Sequence, residues 1–187
     1  SGQKCSALSR LIVLDGVHDQ FVQRFIAACA TLHVGDPVDP GTVVGPVIDV
    51  EAQTKINDIV ERGRREATLA FQGACPTPGY FVGPTVFTGV KPHHHIAQDE
   101  IFGPVVAIMR ARDLDEAFAW VNGTDYALTG GLFSRSPSAL ARAQRELEVG
   151  NLYLNRPITG AIVERQPFGG YRMSGGGTKA GGKGYLE

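Results

Sequence analysis

The sequence predicts an α/β fold with a mostly parallel open sheet and flanking helices. Short runs of strand-forming residues alternate with segments whose apolar residues recur at helical spacing. Strands joined through helices pair in parallel, with right-handed crossovers. The length of 187 residues is enough for one domain that buries about 70% of its unfolded surface.

The first half of the chain begins with a strand, Arg10–Leu14, an uninterrupted apolar run typical of a buried strand. Val17–Leu32 is predicted to be an amphipathic helix, because apolar residues recur on one face. A second helix, Val47–Ala67, carries three arginines near its C-terminal end, where cations complement the helix dipole. Further strands are predicted at Thr68–Gln72, Thr85–Val90 and Pro104–Arg110.

The second half continues the alternation. Leu114–Val121 is predicted to be a helix with Asp113 as its N-cap. Ser136–Leu147 is predicted to be another, with Ser136 as N-cap and proline at the first helical position. Glycines crowd the end of the chain, so 169–184 is predicted to be a loop or an edge segment. The remaining predicted strands are Thr129–Phe133 and Gly150–Leu154, and the predicted domains are 1–165 and a glycine-rich tail, 166–187.

Composition excludes several classes of function. A net charge of −1 argues against a nucleic-acid surface built on electrostatics. Three widely spaced cysteines disfavour zinc ribbons, thioredoxin-like motifs and disulfide frameworks, and favour a reducing compartment. The apolar runs are far shorter than the roughly 20 residues that span a bilayer, and the N-terminus lacks a signal-peptide pattern.

Cys5 is the principal candidate for a catalytic residue. It follows a Gly-Gln turn and precedes the first strand, which would present a nucleophilic thiol at the mouth of that strand. The alternative is a buried structural cysteine. Only four residues precede Cys5, whereas a nucleophilic thiol needs activating groups. We therefore expect the chain to be a piece of a larger enzyme that begins at its nucleophile.

Three further segments each admit a functional and a structural interpretation. Glu100 can accept hydrogen bonds from a ribose diol and Phe102 can lie against a nicotinamide, or they are a solvated carboxylate and a core ring. The main-chain amides of 159–161 follow the last strand and can form a nest for a carboxylate, or they belong to a plain loop. Phe168, beside two glycines, can wall a narrow substrate channel, or it is the core residue of a turn.

Three other patterns are weaker signals. The segment 177–183 has the spacing of a Walker A loop, but Gly184 replaces the Ser or Thr that binds magnesium, and no helix follows. His93, His94 and His95 are adjacent, and adjacent residues on one loop rarely ligate one ion, so a solvated loop is predicted. Arg62, Arg64 and Arg65 are interpreted as a solvated helix end. No metal site is predicted.

Four motifs, taken in their order along the chain, resemble the catalytic half of the aldehyde dehydrogenase superfamily. The resemblance covers nearly the whole chain, and the combination is far more specific than each motif alone. Within the superfamily the chain is most similar to the 1-pyrroline-5-carboxylate dehydrogenase group, by Cys5-Ser6-Ala7, the 159–163 loop that runs into 165–168, and the 179–182 segment. The four motifs are Gly2–Cys5, Glu100–Pro104, Gly150–Asn155 and Pro167–Gly170.

The resemblance implies an NAD-dependent enzyme of proline catabolism that oxidises L-glutamate γ-semialdehyde to L-glutamate. Catalysis would pass through a thiohemiacetal and a thioester on Cys5, and a small-molecule semialdehyde would be the partner, with no nucleic acid or membrane. By this resemblance, Glu100 would contact the ribose of the cofactor and Phe102 would position the cofactor. Ser6 and the amides of Gly160 and Ala161 would bind the substrate α-carboxylate. Phe168 would contact the aliphatic chain of the substrate.

In this family the deacylating glutamate, the oxyanion amide and the domain that binds most of NAD lie upstream of the cysteine. We therefore expect this chain alone to be inactive, and its parent to be a homo-oligomer in the bacterial cytoplasm or the mitochondrial matrix. One alternative is another aldehyde dehydrogenase, for example one that transfers the acyl group to coenzyme A. Another is a non-catalytic domain that retains the fold.

Overall fold

Residues 2–176 and 178–185 are described by a computed structural model. They divide into two units. The first unit contains residues 2–4 and 8–112, and the second contains residues 5–7 together with the described residues from 113 onward. The domain boundary after residue 165 remains a prediction.

The first unit is built on a four-stranded sheet of order β1-β4-β3-β2. β1 pairs in parallel with β4, and β4 in parallel with β3. β2 is antiparallel to β3, because the two strands are joined by a turn-rich loop and no crossover helix separates them. The sheet is therefore mixed, and the predicted α/β class is confirmed with β2 as the exception to parallel pairing. The strands are β1 Arg10–Leu14, β2 Thr68–Gln72, β3 Thr85–Thr88 and β4 Val105–Ala111.

Helices α1 (Asp15–Ala30) and α2 (Val50–Glu66) cover opposite faces of this sheet. Val86 and Phe87 are neighbours on β3, so their side chains point to opposite faces. The apolar face of α1 packs on the Val86 side. On the Phe87 side, a Cβ placed on Gly63 of α2 would lie 2.9 Å from the Phe87 ring. The residues of α1 that pack on the Val86 side are Phe21, Val22, Phe25 and Cys29.

The ends of α2 have clear local causes. The Asp49 carboxylate accepts a hydrogen bond from the Ala52 amide at 2.8 Å, so the helix begins at Val50, three residues later than predicted. Near the other end, Arg62 pairs with Asp99 at 2.7 Å, and Arg64 pairs with Glu61 at 2.9 Å. A single helical turn, α3 (His95–Gln98), packs beside α2.

The second unit contains two helices, α4 (Leu114–Asn122) and α5 (Pro137–Glu146). The predicted caps are confirmed, since Asp113 accepts from the Glu116 amide at 2.9 Å and Ser136 accepts from the Ala139 amide at 3.3 Å. Two two-stranded sheets complete the unit, one parallel between β6 and β7 and one antiparallel between β5 and β8. These strands are β5 Tyr126–Ala127, β6 Thr129–Leu132, β7 Asn151–Leu154 and β8 Tyr171–Arg172.

The glycine-rich tail has more regular structure than its composition predicts. β8 lies inside it, and a 3₁₀ turn forms at Lys183–Tyr185. The Arg172 guanidinium donates to the carbonyl oxygens of Asn122 at 2.5 Å and Thr124 at 2.7 Å, and it also pairs with Glu148. These partners lie about 24 to 50 positions away in sequence, which a local pattern does not reveal. Gly177, where the Walker-like segment begins, and Leu186, near the end of the tail, lie outside the described residues.

Candidate active site

The segment that leads to Cys5 is tied to the first unit on two sides. Gly2 has a φ of +78°, and a Cβ placed on it would lie 2.3 Å from the Gly103 carbonyl oxygen. The Gln3 side chain accepts a hydrogen bond from the Ile48 amide at 2.8 Å. Only glycine fits both the backbone conformation and the close approach at position 2. The cysteine turn is therefore preceded by a fixed stretch of chain.

Cys5 and Ser6 occupy the turn that follows, before β1 begins at Arg10. Cys5 is exposed, whereas the adjacent Ser6 is buried, with 3% of its surface accessible. Cys5 is thus not the buried structural cysteine of the alternative interpretation. An exposed thiol is open to an electrophile.

Glu100 and Phe102 lie in the first unit, on the turn that launches β4. Glu100 is exposed, and Phe102 is 39% exposed with a φ of +58°. A bulky residue in this left-handed region costs roughly 1–3 kcal/mol, and such strain is concentrated at functional sites. Phe102 is therefore not the core ring of the structural alternative.

The loop after β7 is fixed at its first residue. Asn155 has a φ of +54°, and its amide side chain both accepts from the Ser134 amide at 2.8 Å and donates to the Ser134 carbonyl at 2.9 Å. Gly160 follows with a φ of +87°. The Arg156 guanidinium lies 3.9 Å from where a Gly160 Cβ would be, which adds positive charge beside the predicted carboxylate nest. Arg156 is not among the site residues predicted from the sequence.

Residues 167–169, called the Phe168 turn below, dock against the start of β7. A Cβ placed on Gly150 would lie 1.9 Å from the Gly169 carbonyl oxygen, so the main chains are in direct contact. Phe168 itself is half-buried and forms an isolated antiparallel bridge with Ala180. The Lys179 ammonium donates to the Gly150 carbonyl. The turn is held by residues both before and after it in the chain.

The predicted site residues divide between the two units. Glu100 and Phe102 belong to the first. The second contains the thiol and all of the residues assigned to substrate binding, namely Cys5, Ser6, Gly160, Ala161 and Phe168. A groove of about 470 Å³ in the first unit is lined by Cys29, His33, Phe71 and Cys75 among others, and by none of the predicted site residues.

The histidine segment offers no metal centre in the described part of the chain, where no group of three His, Cys, Asp or Glu side chains is arranged to hold an ion. His94 accepts a hydrogen bond from the Lys91 amide at 3.2 Å, and burial lowers the pKa of its imidazole. His95 begins the short helix α3. Across residues 2–176 and 178–185, no helix has the length and apolarity needed to cross a bilayer.

The three thiols differ in environment, which predicts an order of alkylation by iodoacetamide at pH 7.5 in the full-length protein. Burial raises the pKa of Cys29, so it holds less reactive thiolate at this pH. Cys5 and Cys75, which are both exposed, are expected to react faster than Cys29, and a higher pH should speed the labelling of Cys29. Peptide mass spectrometry over time measures the order, with exposed Cys75 as the reference. Labelling of Cys29 at the rate of Cys5 would contradict it.

Comparison with known proteins shows which family the chain resembles. The sequence profile of the aldehyde dehydrogenase family matches residues 1–187. The chain is 50% identical over 187 residues to 1-pyrroline-5-carboxylate dehydrogenase of Geobacillus sp. (strain WCH70), and 46% identical to the protein of that name from Bacillus subtilis (strain 168). Each alignment covers 100% of this chain but only 36% of the relative.

Solved structures give the same picture. Proline utilization A from Bdellovibrio bacteriovorus, inactivated by N-propargylglycine, superposes with a TM-score of 0.97 at 50% identity, over 100% of this chain and 19% of that one. A 1-pyrroline-5-carboxylate dehydrogenase from Thermus, solved with bound NAD, gives 0.95 at 45% identity, over 99% of this chain and 36% of that one. The chain therefore spans about a third of the curated relatives that it matches.

Proposed function

Because this chain belongs to the aldehyde dehydrogenase family, we propose that it forms the thiol-bearing part of an NAD-dependent enzyme that oxidises L-glutamate γ-semialdehyde to L-glutamate. The observation that carries the proposal is that one unit holds exposed Cys5 together with the loop and the turn assigned to substrate binding. The names of relatives that align with the entire chain support the choice of substrate, since this semialdehyde is the open-chain form of 1-pyrroline-5-carboxylate.

Cys5 carries the covalent chemistry. Its sulfur adds to the aldehyde carbon to give a thiohemiacetal, and the carbonyl oxygen becomes the oxyanion that hydrogen-bond donors stabilise. After oxidation at that carbon the acyl group remains on Cys5 as a thioester. Water then attacks the thioester carbon, which releases the carboxylic acid and restores the thiol. The substrate carbon thus stays bonded to the Cys5 sulfur from the thiohemiacetal until the thioester is hydrolysed.

Recognition of the substrate depends on donors for its α-carboxylate. The Ser6 hydroxyl and the main-chain amides of Gly160 and Ala161 are suited to this, and the positive φ of Gly160 orients successive amides as an anion nest does. Arg156 increases the local positive potential. A substrate without the carboxylate would leave the buried Ser6 hydroxyl without this partner, at a cost of about 1–3 kcal/mol. The site is therefore expected to reject uncharged aldehydes.

Glu100 and Phe102 fit a nicotinamide nucleotide. The exposed Glu100 carboxylate is an acceptor for the two hydroxyls of a ribose, and the strained Phe102 offers an exposed ring for stacking. The Thermus relative solved with NAD supports the identity of the nucleotide. When bound, NAD supplies the two-electron acceptor for the substrate carbon.

The experiment is a comparison of aldehydes with the full-length protein that contains this chain, with NADH formation followed by absorbance. L-Glutamate γ-semialdehyde is expected to give a kcat/KM at least about 10²-fold above that of pentanal, which lacks the α-carboxylate. Similar values for the two aldehydes would overturn the proposed substrate. Release of the acyl group to coenzyme A in preference to water would overturn the proposed reaction.

A further inference from the structure

Asn151, the first residue of β7, grips the Phe168 turn at both ends. Its side-chain Nδ2 donates to the Pro167 carbonyl at 3.0 Å, and its Oδ1 accepts from the Gly169 amide at 3.2 Å. A single planar amide thus bonds the main chain on either side of Phe168. An amide side chain is suited to this because it offers a donor and an acceptor side by side.

The remaining main-chain groups of the turn are also paired. The Phe168 amide donates to the Ala180 carbonyl at 2.8 Å, and the Ala180 amide donates to the Phe168 carbonyl at 2.9 Å. The four polar main-chain groups from the Pro167 carbonyl to the Gly169 amide are all paired, two with Ala180 and two with Asn151. These four bonds restrain the backbone of Phe168, from which its ring projects.

Asn151 is itself well anchored. The main-chain amide of Asn151 donates to the Leu128 carbonyl at 2.9 Å, and Asn151 pairs with Thr129 in the parallel β6–β7 sheet. The Gly169 carbonyl rests against Gly150. The hydrogen bonds of Asn151 therefore attach the Phe168 turn to β7. A ring attached to a strand keeps its geometry better than a ring on a free loop.

We propose that Asn151 is a positioning residue that sets the substrate specificity of this enzyme by holding the Phe168 ring against the aliphatic chain of the semialdehyde. The inference rests on the proposed function, because it assigns a purpose to the Phe168 contact. Without the amide, the turn keeps only the bridge to Ala180, and the ring samples other directions. The bound substrate and the transition state then lose the same apolar contact. KM therefore rises, whereas kcat stays unchanged.

The chain contains a matched control. Asn122, at the end of α4, donates to the Glu146 carbonyl at 2.7 Å and accepts from the Glu148 amide at 2.9 Å. This is the same pattern of a carbonyl and an amide two residues apart, around Leu147 instead of Phe168. Both asparagines lie in the second unit. Replacing either asparagine removes two side-chain hydrogen bonds of the same kind, but only the bonds of Asn151 support Phe168.

The test compares Asn151→Leu and Asn122→Leu in the full-length protein. Asn151→Leu is expected to speed amide hydrogen exchange at Gly169. It should raise KM for L-glutamate γ-semialdehyde about five- to tenfold, because the apolar contact with Phe168 is weakened, with kcat within about twofold. Asn122→Leu should speed exchange at Glu148 and leave KM unchanged. If Asn151→Leu does not fold, Asn151→Ala gives the same comparison without added bulk.

An unchanged KM in Asn151→Leu, or an equal rise in both variants, would overturn the inference. So would a fall in kcat with KM unchanged, because that pattern belongs to the reaction step. If the wild-type protein does not oxidise the semialdehyde, the proposed function fails on its own, and the exchange rate of Gly169 still decides whether Asn151 fixes the turn.

Discussion

Replacement of Cys5 by serine is expected to lower kcat for L-glutamate γ-semialdehyde by more than about 10³-fold, or about 4 kcal/mol of activation free energy. Thiols ionise far more readily than hydroxyls and are intrinsically stronger nucleophiles. Serine preserves the shape of the turn, so the loss would report the chemistry of the sulfur. The measurement is single-turnover NADH formation in the full-length protein.

Cys75→Ser is the matched control for this result. Cys75 is also exposed, but it lies on the loop after β2 and has no assigned role in the reaction. It should keep wild-type kcat. Binding of NAD, followed by the quenching of tryptophan fluorescence, should be unchanged in Cys5→Ser. More than about a tenth of wild-type kcat in Cys5→Ser would remove the thiol from the mechanism.

Gly150→Ala is expected to displace the Phe168 turn as a whole. The new methyl group would lie 1.9 Å from the Gly169 carbonyl oxygen and 2.7 Å from Gly170 Cα, and backbone atoms on a docked turn have little freedom to move aside. Overpacking of this kind costs about 1–3 kcal/mol in the free energy of unfolding. Because the turn carries Phe168, KM for the semialdehyde should rise more than about tenfold.

Gly83→Ala separates this effect from general destabilisation. A Cβ at Gly83 would also lie 1.9 Å from a backbone oxygen, that of Gly73, in the loop that joins β2 to β3. Thermal unfolding should show a comparable loss of stability in both variants. Only Gly150→Ala should change KM, measured on the folded fraction at a temperature well below either transition. A similar change of KM in Gly83→Ala would contradict a specific role for the Phe168 turn.

The elements that the sequence predicted best have strong local causes. Helix α5 follows a Ser-Pro start whose hydroxyl caps the helix, and α4 follows an aspartate that does the same. The apolar face of α1 was predicted from the spacing of its apolar residues, and Phe21, Val22 and Phe25 of that face pack against the sheet. Boundaries shifted by one to three residues where a cap such as Asp49 competed with the apolar pattern.

The elements that the sequence missed depend on distant partners. β5 and β8 have two residues each and exist because they pair with one another. The antiparallel direction of β2 follows from its connection to β3, which the alternation of strands and helices does not specify. Cys5, Glu100, Phe102 and Phe168 were singled out from local sequence, but each motif alone also fits a structural role, and their roles were assigned through the family resemblance. Asn151 carries no local signal, since its partners Pro167 and Gly169 lie 16 and 18 positions away.

The outer strand of the first sheet, β2, has an irregular register. Leu69 is opposite Phe87 and Phe71 is opposite Val86, so Ala70 is an extra residue on β2. Such a bulge bends the strand and interrupts the regular row of amides and carbonyls that another polypeptide would need as a template. This border is therefore a poor seed for intermolecular sheet growth. At high protein concentration, fibrillar assembly should not propagate from it.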